Sequence, residues 1–342
     1  MKISIGIKAF NEERNIAVSI KSALDAVVPW NGEVVLADCG STDRTVDIAK
    51  TYPIRVVQLA DPSQRSCGAA AQLAFQHSAG DYLYLLDGDM QLDPAFLSAA
   101  MDHMEANPGV AGVGGRVVER HLDNLEFQIR VAGAKDEPHR RSGTVDRLDG
   151  GGLYRRSAIQ QLGYFTDRNL HSFEEFELGA RLRAAQWQLV RMPVDAVQHY
   201  GHRTNAYRVL WRKMADGYTF GGGEALRAAV GAPHLAKVLQ DFRQLRLWAA
   251  VIAWWIILIV ISVSPMTAAN KTMLLASSAV APIVFLSWRR KSIRHGFYSM
   301  LSWNLHAFGF LVGLLRSRQS PRDPIHSRIL REPSFTVASR FR

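Results

Sequence analysis

The chain has 342 residues, of which 48% are hydrophobic, and it carries a formal net charge of +10. It has two cysteines, Cys39 and Cys67, which excludes a disulfide framework and suits a reducing cytosol. Residues 289–342 hold eleven Lys or Arg against two acids, so they account for +9 of the net charge. Because this charge flanks apolar segments, it indicates contact with anionic lipid headgroups, and we expect no nucleic-acid partner.

The N-terminal half alternates strand and helix patterns. Short apolar runs predict strands at residues 3–7, 34–37, 54–59, 82–86 and 110–118. Helical periodicity lies between them, near residues 12–26, 42–50, 65–78 and 94–106. The first strand begins at once, so we expect no signal peptide. This rhythm predicts an α/β domain with a mostly parallel sheet covered on both faces.

An acidic motif follows the fourth predicted strand. Asp87-Gly88-Asp89 comes directly after the apolar run 82–86, at the sheet edge where open α/β folds bind ligands. Two carboxylates one residue apart can share one hard divalent ion, and such an ion would hold the phosphates of a nucleotide. The alternative is a surface turn, since Asp-Gly is a common turn pair.

Polar residues also follow the first two predicted strands. These are Asn11-Glu12-Glu13 and the segment from Asp38 to Asp43, which contains Ser41 and Thr42. Three acidic loops on one edge of a sheet predict one site. Taken singly, Ser41 and Thr42 have a helix cap as the alternative interpretation.

The C-terminal part contains three apolar segments. Residues 247–263 predict a membrane helix, and residues 273–288 predict a second, weaker one that contains Pro282; a buried helix of a soluble domain is the alternative for the second. The cluster 289–291 is basic and returns the chain to the cytoplasm by the positive-inside rule. Residues 297–315 contain Asn304 and His306, and we interpret them as an interfacial or re-entrant helix.

Several of these motifs, in this order, resemble those of the family 2 glycosyltransferases. They are Phe10-Asn11-Glu12-Glu13, Asp38 with Gly40 to Asp43, Gly80-Asp81 before Asp87-Gly88-Asp89, and Glu174-Glu175 with Arg181. The resemblance implies the GT-A fold, a Rossmann-like nucleotide-binding sheet fused to an acceptor-binding half. It implies that Phe10 and Glu12 line the nucleoside pocket and that Asp38 accepts an N–H of the base. It also implies that Asp89, with Asp87, holds Mg²⁺ or Mn²⁺ on the diphosphate.

The resemblance also implies a catalytic base on the helix beside the acceptor. An inverting transfer needs one carboxylate that takes the acceptor proton on the face opposite the leaving group. We expect this base to be Glu175, with Glu174 and Glu177 as competitors. An acid at a helix start can also merely complement the helix dipole.

Other positions are less specific. Gln91 matches a further metal contact of dolichol-phosphate mannose synthases, and His199 is expected near the metal or the diphosphate, with a packed histidine as the alternative. The loop Gly150-Gly151-Gly152 resembles the glycine loop near the donor sugar, but a flexible turn explains it nearly as well. Arg116, Arg140 and Arg141 are candidates for binding phosphate oxygens or are simple surface charges.

The chain departs from the family pattern at three places. Lys8 stands where the family usually has Pro, and Ala71-Gln72 replaces the usual Arg-Asn pair; Arg65 is the expected substitute for the lost diphosphate contacts. No Gln-x-x-Arg-Trp segment follows the acidic pair. We therefore expect addition of one sugar per encounter and not processive polymer synthesis.

These features predict two regions. Residues 1–235 form a GT-A catalytic domain, with a nucleotide-sugar half (1–118) and an acceptor half (119–235). Residues 236–342 form a membrane region with two transmembrane helices, an interfacial helix and a basic cytoplasmic tail. The predicted location is the inner membrane, with the catalytic domain facing the cytoplasm.

The predicted activity is transfer of a single sugar from a nucleotide donor to a lipid-linked, polyprenyl-borne glycan in envelope or exopolysaccharide synthesis. The alternatives are transfer to polyprenyl phosphate itself and, from another class, a nucleotide-sugar-binding membrane scaffold.

Overall fold

A computed structural model describes residues 2–120, 137–201 and 204–333, together with the single residues 125, 128, 129 and 131. Within these residues, ten strands form one mixed sheet in the order β10-β3-β2-β1-β4-β8-β6-β9-β5, with β7 paired to β9. The strands are β1 (Ile3–Ala9), β2 (Glu33–Asp38), β3 (Arg55–Leu59), β4 (Tyr82–Asp87), β5 (Met90–Leu92), β6 (Val110–Glu119), β7 (Gly143–Val145), β8 (Gly152–Arg155), β9 (Gln188–His199) and β10 (Ser327–Arg331).

Strands β3, β2, β1 and β4 are parallel, which confirms the predicted parallel pairing in the N-terminal part of the sheet. Ile3, Ile5 and Ile7 of β1 are fully buried and pack in the core on one face of the sheet. Parallel strands end at a common edge, so the register places Lys8 opposite Asp87 and Ala9 opposite Asp38. The acidic loops after β1, β2 and β4 therefore meet at this edge, as predicted.

The second half of the sheet mixes directions. Strand β8 runs antiparallel to both β4 and β6, while β6 and β9 are parallel. The helices of the catalytic region are α1 (Ile16–Val27), α2 (Thr45–Ala49), α3 (Cys67–Gln76), α4 (Pro94–Ala106), α5 (Arg156–Leu162), α6 (Glu174–Ala184), α7 (Ala206–Ala215), α8 (Gly221–Ala229) and α9 (Leu235–Asp241).

Three long helices follow: α10 (Arg243–Val263), α11 (Ala268–Arg289) and α12 (Ile293–Leu315). Among the described residues, α10 and α11 are the two helices long and apolar enough to cross a membrane, with mean hydropathies of 2.2 and 1.4. Both leave large apolar side chains exposed, among them Ile259, Val263, Val284 and Trp288. An exposed apolar face of this extent is typical of a surface that contacts a membrane or another protein.

Helix α12 lies on the catalytic region. Its Ala307 and Phe310 are buried in one cluster with Phe176 of α6, and Tyr298 packs against Ala206 and Leu210 of α7. Apolar residues on α12 remain exposed as well, at Ile293, Phe297, Phe308 and Leu315. A helix that packs on a domain with one side and exposes apolar residues on another fits the interfacial helix expected for residues 297–315.

The chain after α12 returns to the sheet. Arg318 pairs with the buried Asp167 at 2.5 Å, and Ile325, 2% exposed, joins the small core that includes Leu59 and Ala69. Strand β10 then pairs antiparallel with β3. We call residues 316–333 the C-terminal strap. The described part of the expected basic tail is thus bound to the catalytic region, while residues 334–342 lie outside the described part of the chain.

Candidate active site

A cleft of about 670 Å³ opens at the carboxyl edge of the parallel strands. It extends from the β1 and β4 loops to the start of α6 and to α7. The predicted site residues that line it are Phe10, Glu12, Arg65, Asp87, Asp89, Glu175 and His199. The structure therefore gathers most of the predicted site in one place.

Hydrogen bonds clamp the loops after β1 and β2 together. The backbone N–H of Asn11 donates to Ser41 Oγ at 2.9 Å, and that of Thr42 donates to Asn11 Oδ1 at 2.8 Å. The N–H of Glu12 donates to Thr45 Oγ1 at 2.7 Å. Ser41 and Thr42 thus join the two loops instead of capping a helix, and the clamp fixes Phe10 and Glu12 at the edge of the cleft.

A tight turn brings Glu12 over the Asp87-Gly88-Asp89 motif. The N–H of Gly88 donates to the Lys8 carbonyl at 2.9 Å, and a Cβ on Gly88 would lie 3.1 Å from Glu12 Cγ. Only a small residue fits there without displacing a neighbour. Burial, followed by the nearby Asp89 carboxylate, raises the pKa of Glu12 to about 8.

Lys8 is bound to two carboxylates in the cleft. Its Nζ lies 2.9 Å from Asp87 Oδ1 and 2.8 Å from Glu174 Oε1. Burial alone would favour the neutral amine, but Asp87 and Glu174 outweigh it and raise the pKa of Lys8 well above its ordinary value. Sequence reasoning treated Lys8 only as a departure from a family pattern. The sequence did contain a signal for a bound lysine: Lys8 is the one charged residue on a strand otherwise made of small and apolar residues.

His199 joins two acids. Its Nε2 lies 3.1 Å from Asp89 Oδ2 and its Nδ1 lies 2.6 Å from Glu119 Oε2. The register of β5, β6 and β9 brings the three together, because His199 lies opposite both Met90 and Glu119. Burial opposes the charged ring, yet hydrogen bonds to Asp89 and Glu119 raise the pKa of His199 to about 10. Glu119 was missed from the sequence, where it looks like an ordinary strand end.

The donor set suits a hard divalent ion completed by a substrate. In the described part of the chain, no three His, Cys, Asp or Glu side chains converge as a metal cluster. A Mg²⁺ site commonly uses only one or two protein carboxylates plus substrate phosphates. Asp89 offers a carboxylate oxygen, whereas His199 Nε2, 3.1 Å away, is hydrogen-bonded to that carboxylate and could coordinate an ion only after losing its proton. Asp87 is nearby but shares one oxygen with Lys8.

Two predicted site residues do not line the cleft. Gln91 accepts a hydrogen bond from Tyr200 Oη at 2.7 Å. Asp38 is fully buried, and its Oδ2 accepts from the N–H groups of Gly40 and Ser41 and from Gln58 Nε2. Its Oδ1 is buried with no hydrogen-bond partner. An orphaned carboxylate oxygen at the end of β2 is the feature that an N–H of a nucleobase would satisfy.

The acidic residues at the start of α6 have different surroundings. Glu174 is bound by Lys8, and Glu177 is fully buried and bound to Arg181 Nε at 2.7 Å. Glu175 accepts from the Gly150 N–H at 2.9 Å and from Tyr154 Oη at 3.1 Å, and no cation binds it directly among the described contacts. Burial is the main cause that raises the pKa of Glu175 to about 8, with Lys8 opposing and Asp149 adding to the rise. A base with a pKa near neutrality is suited to proton transfer.

The glycine loop supports Glu175 directly. Gly151 has a φ of +92°, and a Cβ there would lie 2.5 Å from the Leu85 carbonyl. The loop therefore passes against β4 only because the residue is glycine, and this places the Gly150 N–H on the Glu175 carboxylate. Phe173, just before α6, also has a positive φ of 65°, a strained conformation held by contacts with Phe176, Phe242 and Trp248.

Arg65 covers the ring of Phe10. The guanidinium carbon lies 3.9 Å from the ring centroid, and Arg65 also pairs with Asp216 at 3.1 Å. Of the other expected arginines, Arg140 lines the cleft, whereas Arg116 forms an exposed pair with Asp195. Gln72, which replaces the usual Asn, accepts from the N–H of Phe165 at 2.8 Å and so binds the segment before α6 instead of lining the cleft.

Comparison with known proteins gives the class. A mannosyltransferase from Pyrobaculum calidifontis, solved with GDP-mannose and Mn²⁺, has a TM-score of 0.57 over 92% of this chain and 87% of that chain, at 17% identity. The likeness shows the fold, and the protein has a GT-A domain. Residues 4–163 match the profile described as glycosyl transferase family 2. The matched residues identify this region of the chain as a family 2 glycosyltransferase domain.

Two curated relatives agree with this assignment. The chain is 28% identical to EpsE of Bacillus subtilis over 190 residues, which cover 53% of this chain and 66% of EpsE. It is 30% identical to the dodecaprenyl-phosphate galacturonate synthase of Rhizobium johnstonii over 115 residues, which cover 31% of this chain and 33% of that protein. The chain thus spans less than two thirds of the length of either relative.

Proposed function

We propose that the protein is a metal-dependent inverting glycosyltransferase that moves one sugar from a nucleotide donor to a hydroxyl of a lipid-linked glycan. The observation that carries the proposal is the position of Glu175. Its carboxyl lies in the same cleft as Asp87 and Asp89, and it is the member of the Glu174, Glu175 and Glu177 set that no cation binds directly among the described contacts.

The donor occupies the edge formed by the loops after β1, β2 and β4. Phe10 and Glu12 line the nucleoside pocket, and Arg65 binds a phosphate oxygen in place of, or in addition to, its contact with Asp216. Asp38 Oδ1 is buried outside the cleft lining and accepts an N–H of the base only when the donor opens the end of β2. Asp89, with Asp87 beside it, would hold Mg²⁺ or Mn²⁺ on the diphosphate, and His199 would join it as a ligand once the ion displaced the proton from Nε2. The ion supplies positive charge that stabilises the departing nucleoside diphosphate.

The transfer step uses Glu175 as the base. Its carboxylate takes the proton of the acceptor hydroxyl while that oxygen bonds to the anomeric carbon of the sugar. The bond from the anomeric carbon to the diphosphate breaks, and its electron pair leaves with the nucleoside diphosphate. The Gly150 N–H and Tyr154 Oη hold the carboxylate in place during this step.

The acceptor reaches the cleft from the side of the apolar helices. Gln244, in the first turn of α10, lines the cleft together with Arg212 and Lys213 of α7. We therefore place the reaction at a membrane surface, with α10 and α11 inserted as a hairpin and the catalytic region on the cytoplasmic side. A lipid-borne acceptor then meets the donor without leaving the membrane.

A second acceptor is polyprenyl phosphate itself, which the similarity to the Rhizobium synthase favours. A phosphate oxygen is already ionised at neutral pH and needs no general base. Glu175→Gln therefore separates the two acceptors, because it abolishes transfer to a hydroxyl and leaves transfer to a phosphate largely intact.

The proposal is tested with the full chain in detergent. Thermal unfolding with Mn²⁺ and each of UDP-, GDP- and dTDP-sugars identifies the donor, which stabilises the wild type but not Asp89→Ala. Radiolabelled transfer from that donor to polyprenyl-linked acceptors follows. Stabilisation without any release of nucleoside diphosphate would instead indicate a nucleotide-sugar-binding scaffold and contradict the proposed function.

A further inference from the structure

One ammonium group connects the two halves of the cleft. Lys8 is on β1, opposite Asp87 in the sheet register, and Glu174 is the first residue of α6 in the acceptor half. Lys8 Nζ binds Asp87 Oδ1 at 2.9 Å and Glu174 Oε1 at 2.8 Å. The side chains of Lys8 and Glu174 are 13% and 9% exposed, while that of Asp87 is 32% exposed, so the Glu174 side of the bridge is shielded from solvent.

Burial gives this bridge an importance that surface pairs lack. Lys2 and Glu105 also pair, but both side chains are nearly half exposed, and such pairs contribute little. At Lys8, loss of the ammonium would leave Asp87 and Glu174 close together without compensation, in a cleft that also contains Asp89 and Glu175. Uncompensated like charges in such a place force the side chains or their backbones apart.

We propose that Lys8 is a positioning residue for the transfer step. By binding Asp87 and Glu174 together, it holds the first turn of α6, and with it the Glu175 carboxyl, in register with the Asp87-Gly88-Asp89 loop. Because Lys8 also binds the Glu174 carboxylate, Glu174 does not act as the base, and Glu175 takes that role. This inference rests on the proposed function, because it concerns the geometry of the same reaction.

The expected consequence is a loss of rate without a loss of donor affinity. A misplacement of about 1 Å between base and reacting centre costs roughly 100-fold in rate. The nucleoside pocket around Phe10 and Glu12 is held by its own hydrogen bonds to the β2 loop, which do not involve the Lys8 side chain. Lys8→Met is therefore expected to lower kcat by roughly 100-fold and to change the donor KM by less than about threefold.

The experiment measures kcat and donor KM of the full chain for the wild type, Lys8→Met, Lys8→Arg, Glu174→Ala and the Lys8→Met/Glu174→Ala double variant. Lys8→Arg keeps a cation and should recover at least a tenth of the wild-type kcat. Glu174→Ala should lower kcat at least tenfold alone and should add little in the Lys8→Met background, because both changes break one bridge. Lys2→Met, which breaks an exposed pair, is the matched control and should leave kcat unchanged.

Three results would overturn the inference: a Lys8→Met variant with kcat within threefold of the wild type, a donor KM that rises as much as kcat falls, or losses that multiply in the double variant. If Lys8→Met does not fold, Glu174→Ala alone decides, since an unchanged kcat there removes the bridge from the mechanism. A wild type that transfers no sugar contradicts the proposed function itself, whereas a working wild type beside an equally active Lys8→Met contradicts only the role of Lys8.

Discussion

Tyr154 donates its phenolic hydrogen to Glu175, with Oη 3.1 Å from Oε1. Tyr154 is on β8, next to β4 in the sheet, and is buried. The hydrogen bond ties the base to the rigid centre of the sheet instead of leaving it on a helix end. The carboxyl proposed as the base thus accepts two hydrogen bonds, one from Tyr154 and one from the Gly150 N–H.

The first prediction concerns the base. Glu175→Gln should lower kcat by roughly 1,000-fold and leave the donor KM nearly unchanged, because general-base catalysis contributes about 10²- to 10⁴-fold. Steady-state kinetics with a hydroxyl acceptor provide the measurement. Glu105→Gln, at an exposed position, is the control. A Glu175→Gln variant that keeps a tenth of the rate with that acceptor would assign the base elsewhere.

The second prediction is a pH dependence. Glu175 acts as a base only after it has lost its proton, and burial raises its pKa to about 8. The value of kcat/KM should therefore rise as the pH increases through about 8 and level off above it. Tyr154→Phe removes a hydrogen bond that favours the charged carboxylate, so it should move this rise to higher pH. A profile that is flat from pH 6 to pH 9 would contradict the assignment.

The third prediction concerns donor binding. Arg65→Ala removes the guanidinium that stacks on Phe10 at 3.9 Å and should raise the donor KM by roughly threefold to thirtyfold, the range expected for a cation–π contact and a phosphate contact. Isothermal titration with the nucleoside diphosphate and Mn²⁺ gives the affinity directly. Arg116→Ala, which breaks the exposed pair with Asp195, should bind as the wild type does. Equal losses in both variants would mean a general charge effect.

The fourth prediction concerns the C-terminal strap. Ile325 is 2% exposed and packs with Leu59, so Ile325→Ala should lower the free energy of unfolding by about 2–5 kcal/mol. Ile329, in β10, is 51% exposed, and Ile329→Ala should cost less than about 1 kcal/mol. Denaturant unfolding of the two variants side by side makes the comparison. Similar losses would show that the strap is held by its backbone pairing alone.

Much of this site was accessible from the sequence because parallel strands end at one edge. Once the runs before Asn11, Asp38 and Asp87 were recognised as parallel strands, their loops had to meet. The start of α6 was found through the Glu174-Glu175 pair and not through any pattern of burial. The family match and the fold confirm the predicted α/β architecture, while the roles of the individual site residues stay predictions.

The partners of each charge were less accessible. Lys8 and Glu174 are 166 positions apart in the chain, and Glu119 and His199 are 80 apart, so no local pattern links them. Gln91 was singled out by its spacing after Asp89, whereas in the structure it accepts a hydrogen bond from Tyr200, a partner that the spacing did not indicate. Side-chain pairing across a fold depends on register, which single-sequence reasoning does not determine.

The C-terminal strap gives the hairpin of α10 and α11 a second attachment to the sheet. Helix α10 leaves the catalytic region beside the cleft, where Trp248 is buried against Phe173, and the chain returns at the opposite edge of the sheet through β10. Both flanks of the hairpin are therefore anchored, and no flexible tether separates it from the enzyme. The fold therefore fixes the position of the cleft relative to the apolar helices α10 and α11.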